Sequence, residues 1–151
     1  MKVYLDVSCL NRPFDDQGQA RIRLEAEAVT LVMERMDLGA WQQVSSEMAA
    51  LEVEAIGDPE RKARVQALLQ HAEIHVRLTK KVFSRADFLE RLGFKAADAL
   101  HVAAAETAVA DVLLSCDDRL CKMAQRSQSQ LSVRVVNPLA WLKEIEHDPD
   151  A

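Results

Sequence analysis

The sequence predicts an α/β fold, a three-layer α/β/α sandwich around a mostly parallel central sheet of four or five strands. Three observations predict it. Short apolar stretches alternate with longer stretches of helical period, the pattern of crossover connections and a parallel sheet covered on both faces. Only four glycines and four prolines punctuate the chain, and most fall between the periodic segments. A length of 151 residues with 49% hydrophobic and 28% charged residues suits one globular domain that buries about 68–70% of its unfolded surface. No repeat, low-complexity tract or linker divides it. The expectation is a single domain over residues 1–147 with a short tail at 148–151.

In chain order, Lys2 to Asp6 reads as a short strand with Val3 and Leu5 apolar, and Asn11 to Asp16 as a loop. From Arg21 to Asp37, Ile22, Ala26, Val29, Met33 and Met36 recur at helical spacing, and Gly39 ends that helix. Trp41 to Ser45 is a second strand, and Ser45 or Ser46 caps a helix that stops at Gly57 in a left-handed cap position. Asp58-Pro59 starts the next helix as N-cap and first helical residue. Ile74, Val76 and Leu78 alternate as a weak third strand. Ser84 with Asp87 resembles a capping box for a short helix ending at Gly93. Ala96 to Ala110 is a strongly apolar helix, Val112 to Ser115 a buried strand and Asp117 to Arg126 a helix. Val133 to Val136 is the last strand, and Asn137-Pro138 opens the last helix.

Charge and cysteine usage exclude several classes. With 19 Lys and Arg against 24 Asp and Glu the net charge is −5, which excludes a simple basic-patch nucleic-acid binder. It leaves open a nuclease that recruits a divalent cation into an acidic pocket. No apolar run reaches the roughly 18 residues of a membrane span, and no leader-like segment is read. Cys9, Cys116 and Cys121 form no ligand-like or disulfide-like pattern, so no disulfide framework and a cytoplasmic location are expected.

Four acids stand where an acid needs a reason. Asp6 closes the first strand, and Asp117 with Asp118 closes the fourth. If those strands are neighbours, their carboxylates meet at one sheet edge, although either acid could equally be a turn or cap residue. Glu52 lies inside a stripe formed by Met48, Leu51, Ala55 and Ile56, so it needs a partner unless its head reaches water from the stripe's margin. Asp98 and His101 are the polar interruptions of the apolar helix. Asp98 could be an N-cap or a first-turn charge, and His101 stays unassigned. Two unit charges about 4 Å apart repel by about 4 kcal/mol at an effective dielectric of 20, so several carboxylates in one cleft need a cation. Oxygen donors on rigid elements suit Mg²⁺ or Mn²⁺, and an ion so held can activate water against a phosphodiester.

At these residues the sequence resembles the PIN-domain ribonucleases, of the kind found in VapC toxins of bacterial toxin–antitoxin pairs. The resemblance runs from VYLDVSCLNRPFDD through SSEMAALEVE and KAADALHVAAAE to DVLLSCDDRL and VRVVNPLAWL. It implies a PIN-like fold and a metal-dependent endoribonuclease. In this reading Asp6, Glu52, Asp98 and Asp117 are the catalytic acids, and Asp6, Asp98 and Asp117 bind one or two Mg²⁺ or Mn²⁺ ions. A metal-activated water would hydrolyse RNA to a 5′-phosphate and a 3′-hydroxyl. Asp118 competes with Asp117 for that role, and register favours Asp117. Ser8 and Ser115 take the places of small polar residues that orient a carboxylate or water, or else cap turns. Arg12 and Arg119 are the nearby cations for substrate, or else ordinary ion-pairing arginines, and Lys80, Lys81, Arg85 and Lys95 form a second basic edge. The chain departs from the family at Val7-Ser8, where Thr-Asn is usual, and in its NRPFDDQGQ loop, which resembles a different branch of PIN proteins. The resemblance further implies an RNA substrate, a small antitoxin protein as partner, a homodimer and no membrane. The alternative is a non-catalytic PIN module that binds RNA or a protein partner.

Overall fold

The computed structural model describes residues 1–147; the tail expected at 148–151 lies outside the described residues. Five parallel strands, β1 (Lys2–Leu5), β2 (Gln42–Ser46), β3 (Ile74–Val76), β4 (Val112–Leu114) and β5 (Arg134–Val136), form one sheet in the order β3-β2-β1-β4-β5. Eight helices cover it among the described residues: α1 (Val7–Asn11), α2 (Ala20–Asp37), α3 (Glu47–Glu54), α4 (Pro59–Leu69), α5 (Lys80–Leu92), α6 (Ala96–Thr107), α7 (Asp118–Arg126) and α8 (Pro138–Glu146). The chain is therefore an all-parallel three-layer α/β/α sandwich.

Strand residues alternate between two cores, because successive side chains of a strand face opposite ways. Val3, Leu5, Val112 and Leu114 pack with α1, α2, α4 and α8, where Trp41 meets Trp141 with ring centroids 4.9 Å apart. Tyr4, Val44 and Leu113 pack with α5, α6 and α7. In α6 the run from Val102 to Ala105 is fully buried; its small side chains let that helix lie close on the sheet. No described helix is long and apolar enough to cross a membrane. The three cysteines are free, with Cys9 Sγ and Cys116 Sγ 3.8 Å apart in the first core.

Four local expectations are corrected. Asn11 to Asp16 is not simply a loop: α1 runs through Asn11 and a 3-10 turn occupies Arg12–Phe14. A single helical turn is too short to show a period. Gly57 has no positive φ, since α3 ends earlier at Ala55 in ordinary helical geometry. Ser84 and Asp87 lie inside α5, whose N-cap is Thr79, its hydroxyl accepting from Val82 N at 3.3 Å. The buried face of α3 is Ala49 and Val53, whereas Leu51 and Ala55 are exposed.

Gly93 is required by the backbone. It ends α5 at φ +123°, and a Cβ there would meet Met123 Cε at 3.2 Å and Sδ at 3.3 Å. Gly93→Ala is expected to cost about 1–2 kcal/mol, lowering the melting temperature by about 3–6 °C in a thermal unfolding scan.

Candidate active site

In a parallel sheet all strands deliver their carboxyl ends to one edge, and ligands bind there. The register pairs Leu5 with Leu114, so Asp6 and Ser115 leave adjacent strands together, and Asp6 N donates to Leu114 O at 3.2 Å. Asp6 is 5% exposed and caps α1, its Oδ1 accepting from Cys9 N at 3.1 Å and from Ser8 Oγ at 2.5 Å. Ser8 Oγ in turn accepts from Cys116 N at 3.0 Å and lies 3.5 Å from Ser115 Oγ. Ser115 Oγ accepts from Asp117 N at 3.0 Å. Ser8 and Ser115 thus lace the end of β1 to the β4–α7 turn and fix Asp6 relative to Asp117.

Asp117 caps α7, with Oδ1 accepting from Arg119 N at 2.9 Å and Leu120 N at 3.3 Å. Asp118 turns away and forms a two-pronged ion pair with Arg21 on α2, which holds its carboxyl below the usual range. Asp98 sits half-buried in the first turn of α6. Burial first, then the charges of Asp117, Asp6 and Glu52, push its carboxyl above the ordinary aspartate value, against a lowering by His101. Burial also raises Asp6, opposed by bonds from Ser115 and Ser8. The Cys121 thiol is pushed up to about 12 by burial and then by Asp6, Asp118 and Asp117. The acids brought from β1, α6 and the β4–α7 turn therefore share one field.

Glu52 does have a partner. His101, 3% exposed, contacts Glu52 Oε1 through Nε2 and lies 2.6 Å from the Tyr4 hydroxyl through Nδ1. Tyr4 Oη is 2.7 Å from Ser46 Oγ, which accepts from Ala49 N at 3.2 Å. One set of proton positions satisfies every member: Ser46 donates to Tyr4, Tyr4 to Nδ1, and Nε2–H to the carboxylate. Burial drives the Tyr4 phenol well above its usual range, so it stays a donor. Tyr4, Ser46 and His101 are the site residues that sequence reasoning did not assign. The readable signal was spacing: Tyr4 precedes Asp6 by two on a strand, hence on the same face, and His101 follows Asp98 by three on a helix.

Of the two expected cations, Arg12 is engaged by Asp15 at 3.0 Å and Glu25 at 3.2 Å, whereas Arg119 lines an open cleft with Asp98. Arg85 is neutralised by Glu106 at 2.8 Å. Lys95, the N-cap residue of α6 beyond the far end of α5 from Lys80 and Lys81, belongs to the Asp98 cleft instead. The expected second basic edge is therefore split.

Carboxylate oxygens in a half-buried, mutually repelling set fit a hard divalent cation. The ligand shell is not pre-formed, however: among the described residues no three His, Cys, Asp or Glu side chains stand close enough to hold a metal ion as placed. Glu52 is turned to His101, and Asp117 Oδ1 is occupied by the α7 cap.

The sheet order and the two helical layers superpose on chains of solved VapBC complexes, so the fold is VapC-like and PIN-type. A chain of the crystal structure of VapBC2 from Rickettsia felis, bound to a DNA fragment from their promoter, superposes with a TM-score of 0.57 at 13% identity. A chain of VapBC-1 from nontypeable Haemophilus influenzae superposes with a TM-score of 0.58, also at 13% identity. Each comparison covers 91% of this chain and 98% of the other. No family model matches the sequence, and no curated protein matches it.

Proposed function

We propose that the protein is a divalent-metal-dependent endoribonuclease that hydrolyses RNA phosphodiesters at the carboxyl edge of its sheet. The observation that carries this reading is that Asp6 and the turn bearing Asp117 leave adjacent strand ends, with Asp98 and Arg119 lining one cleft beside them. Asp6, Asp98 and Asp117 would hold Mg²⁺ or Mn²⁺, with Glu52 helping to hold it or to position water. When bound, the ion supplies Lewis acidity and a more acidic water. The chain's own residues do the positioning. Ser8 and Cys9 N fix the Asp6 carboxylate, Ser115 sets the turn that carries Asp117, and His101 with Tyr4 steadies Glu52. Arg119, two residues beyond Asp117, offers a cation for the scissile phosphate.

The reading makes the chain a VapC-type toxin, with a small antitoxin protein as partner and a homodimer as its assembled state; the likeness to VapBC structures supports the first two. The test is cleavage of a panel of RNAs by purified protein with Mg²⁺ or Mn²⁺, and with EDTA. Products ending in 5′-phosphate that vanish with EDTA are expected. EDTA-resistant cleavage of the same RNAs, with contaminating nuclease excluded, would contradict the metal role.

A second reading, a non-catalytic module that binds RNA or a protein partner, is favoured by one observation, the engagement of the Glu52 carboxylate by His101. Mn²⁺ titration separates the two, since the non-catalytic module would bind none at millimolar concentration.

A further inference from the structure

We infer that the cleft between the α5–α6 connection and α7 is an RNA-backbone track that leads the substrate to Asp98; this rests on the ribonuclease reading and gives it a direction of approach. The cleft, of about 520 Å³, is walled by Gly93, Phe94 and Lys95 on one side and by α7 on the other, with Asp98 in its lining. Its cations are Lys95, Arg119, Lys122 and Arg126. All four are exposed, and none forms an ion pair among the described residues.

Elsewhere most arginines are neutralised, as in Arg21–Asp118, Arg61–Asp15, Arg85–Glu106 and Arg134–Glu144. In a chain of net charge −5, a concentration of unpaired cations beside an acidic site is a polarity that suits a polyanion. The α7 cations also have a common direction. Arg119, Lys122 and Arg126 are spaced i, i+3 and i+7, one face of a helix, and span about 10 Å of its length. That is the axial rise of about three nucleotides in a stacked strand. Between the cations the cleft lining is mostly apolar, from Phe94, Leu120 and Met123, with Gln125 as its one side-chain amide, so phosphate contacts dominate over groups that could select a base.

The experiment measures binding of a short fluorescein-labelled single-stranded RNA by anisotropy in EDTA, so that cleavage plays no part. Lys95→Ala/Lys122→Ala/Arg126→Ala is expected to weaken binding by at least about tenfold and to make the slope of log K against log salt shallower by about 2. The control Lys80→Ala/Lys81→Ala/Lys143→Ala removes the same charge from exposed sites outside the cleft and is expected to change binding less than about twofold. Equal losses in the two variants, or no loss in the first, would overturn the track. So would a polyglutamate peptide that binds the cleft in preference to RNA, which would reassign it to an acidic protein segment. RNA held through this cleft but never cleaved with any divalent ion would sink the ribonuclease reading while leaving the track standing.

Discussion

Asp6→Asn is expected to lower RNA cleavage by about 10³-fold, about 4 kcal/mol of barrier, in a protein that remains folded. The amide keeps an Oδ1 that can accept from Cys9 N and Ser8 Oγ, so the α1 cap and the lacing to Ser115 survive. What is lost is the negative charge that would hold the ion. Stability should move the other way from activity. Burial is the largest influence on Asp6 and raises its carboxyl, so the folded state binds this proton more tightly than the unfolded chain does. The resulting stabilisation is full below the unfolded carboxyl's range and is lost as pH rises through the folded value. Metal-free wild-type protein should therefore lose stability relative to Asp6→Asn across that rise, and the variant should melt no lower at neutral pH. Circular dichroism melts at several pH values, paired with a cleavage assay, check both halves. Undiminished cleavage would remove Asp6 from the chemistry.

His101→Ala is expected to destabilise the fold by about 2–4 kcal/mol, measured by urea unfolding. The substitution opens a cavity in a buried layer and leaves the Tyr4 hydroxyl without its acceptor in a place water does not reach. Tyr4→Phe should cost less, about 1–2 kcal/mol, because it removes one member of the network and leaves the imidazole in contact with Glu52. The two losses should fall short of additive, since both substitutions break the same Tyr4–His101 bond. Full additivity in the double variant would mean that the relay is not a coupled unit.

Much of this architecture was legible because its signals are local. Asp58-Pro59 and Asn137-Pro138 do start helices, with side-chain caps on Glu60 N, Arg61 N, Leu139 N and Ala140 N. The strand at Val112 follows from a wholly buried apolar run. The same locality explains the errors. Thr79 and Ser84 are both credible caps by composition, and only packing of Val82, Ala86 and Leu89 into the second core selects the earlier start. The stripe through Leu51 failed because a helix of eight residues permits more than one apolar face, and Ala49 and Val53 fit against the core.

Within the site, the placement of acids at strand ends was readable, because the strand order needed only β1 beside β4. The Tyr4–His101–Glu52 chain was not. Spacing puts Tyr4 on the face of Asp6 and His101 on the face of Asp98, but only the packing of β1, α3 and α6 joins them to each other and to Glu52. The Arg21–Asp118 pair is a similar case, since its members are far apart in the chain and only the docking of α2 near α7 joins them.

The position of β1 at the middle of the sheet has a consequence for biosynthesis. β1 is made before the other four strands of this sheet yet is flanked by β2 and β4, and crossover sheets of this kind must wait for sequence-distant partners. During translation Asp6 emerges early, yet the turn bearing Asp117 cannot dock beside it until Val112–Leu114 has left the ribosome. A nascent chain would therefore carry no assembled acidic edge until β4 has been made and has docked beside β1, which would keep the proposed ribonuclease inert while its earlier strands emerge.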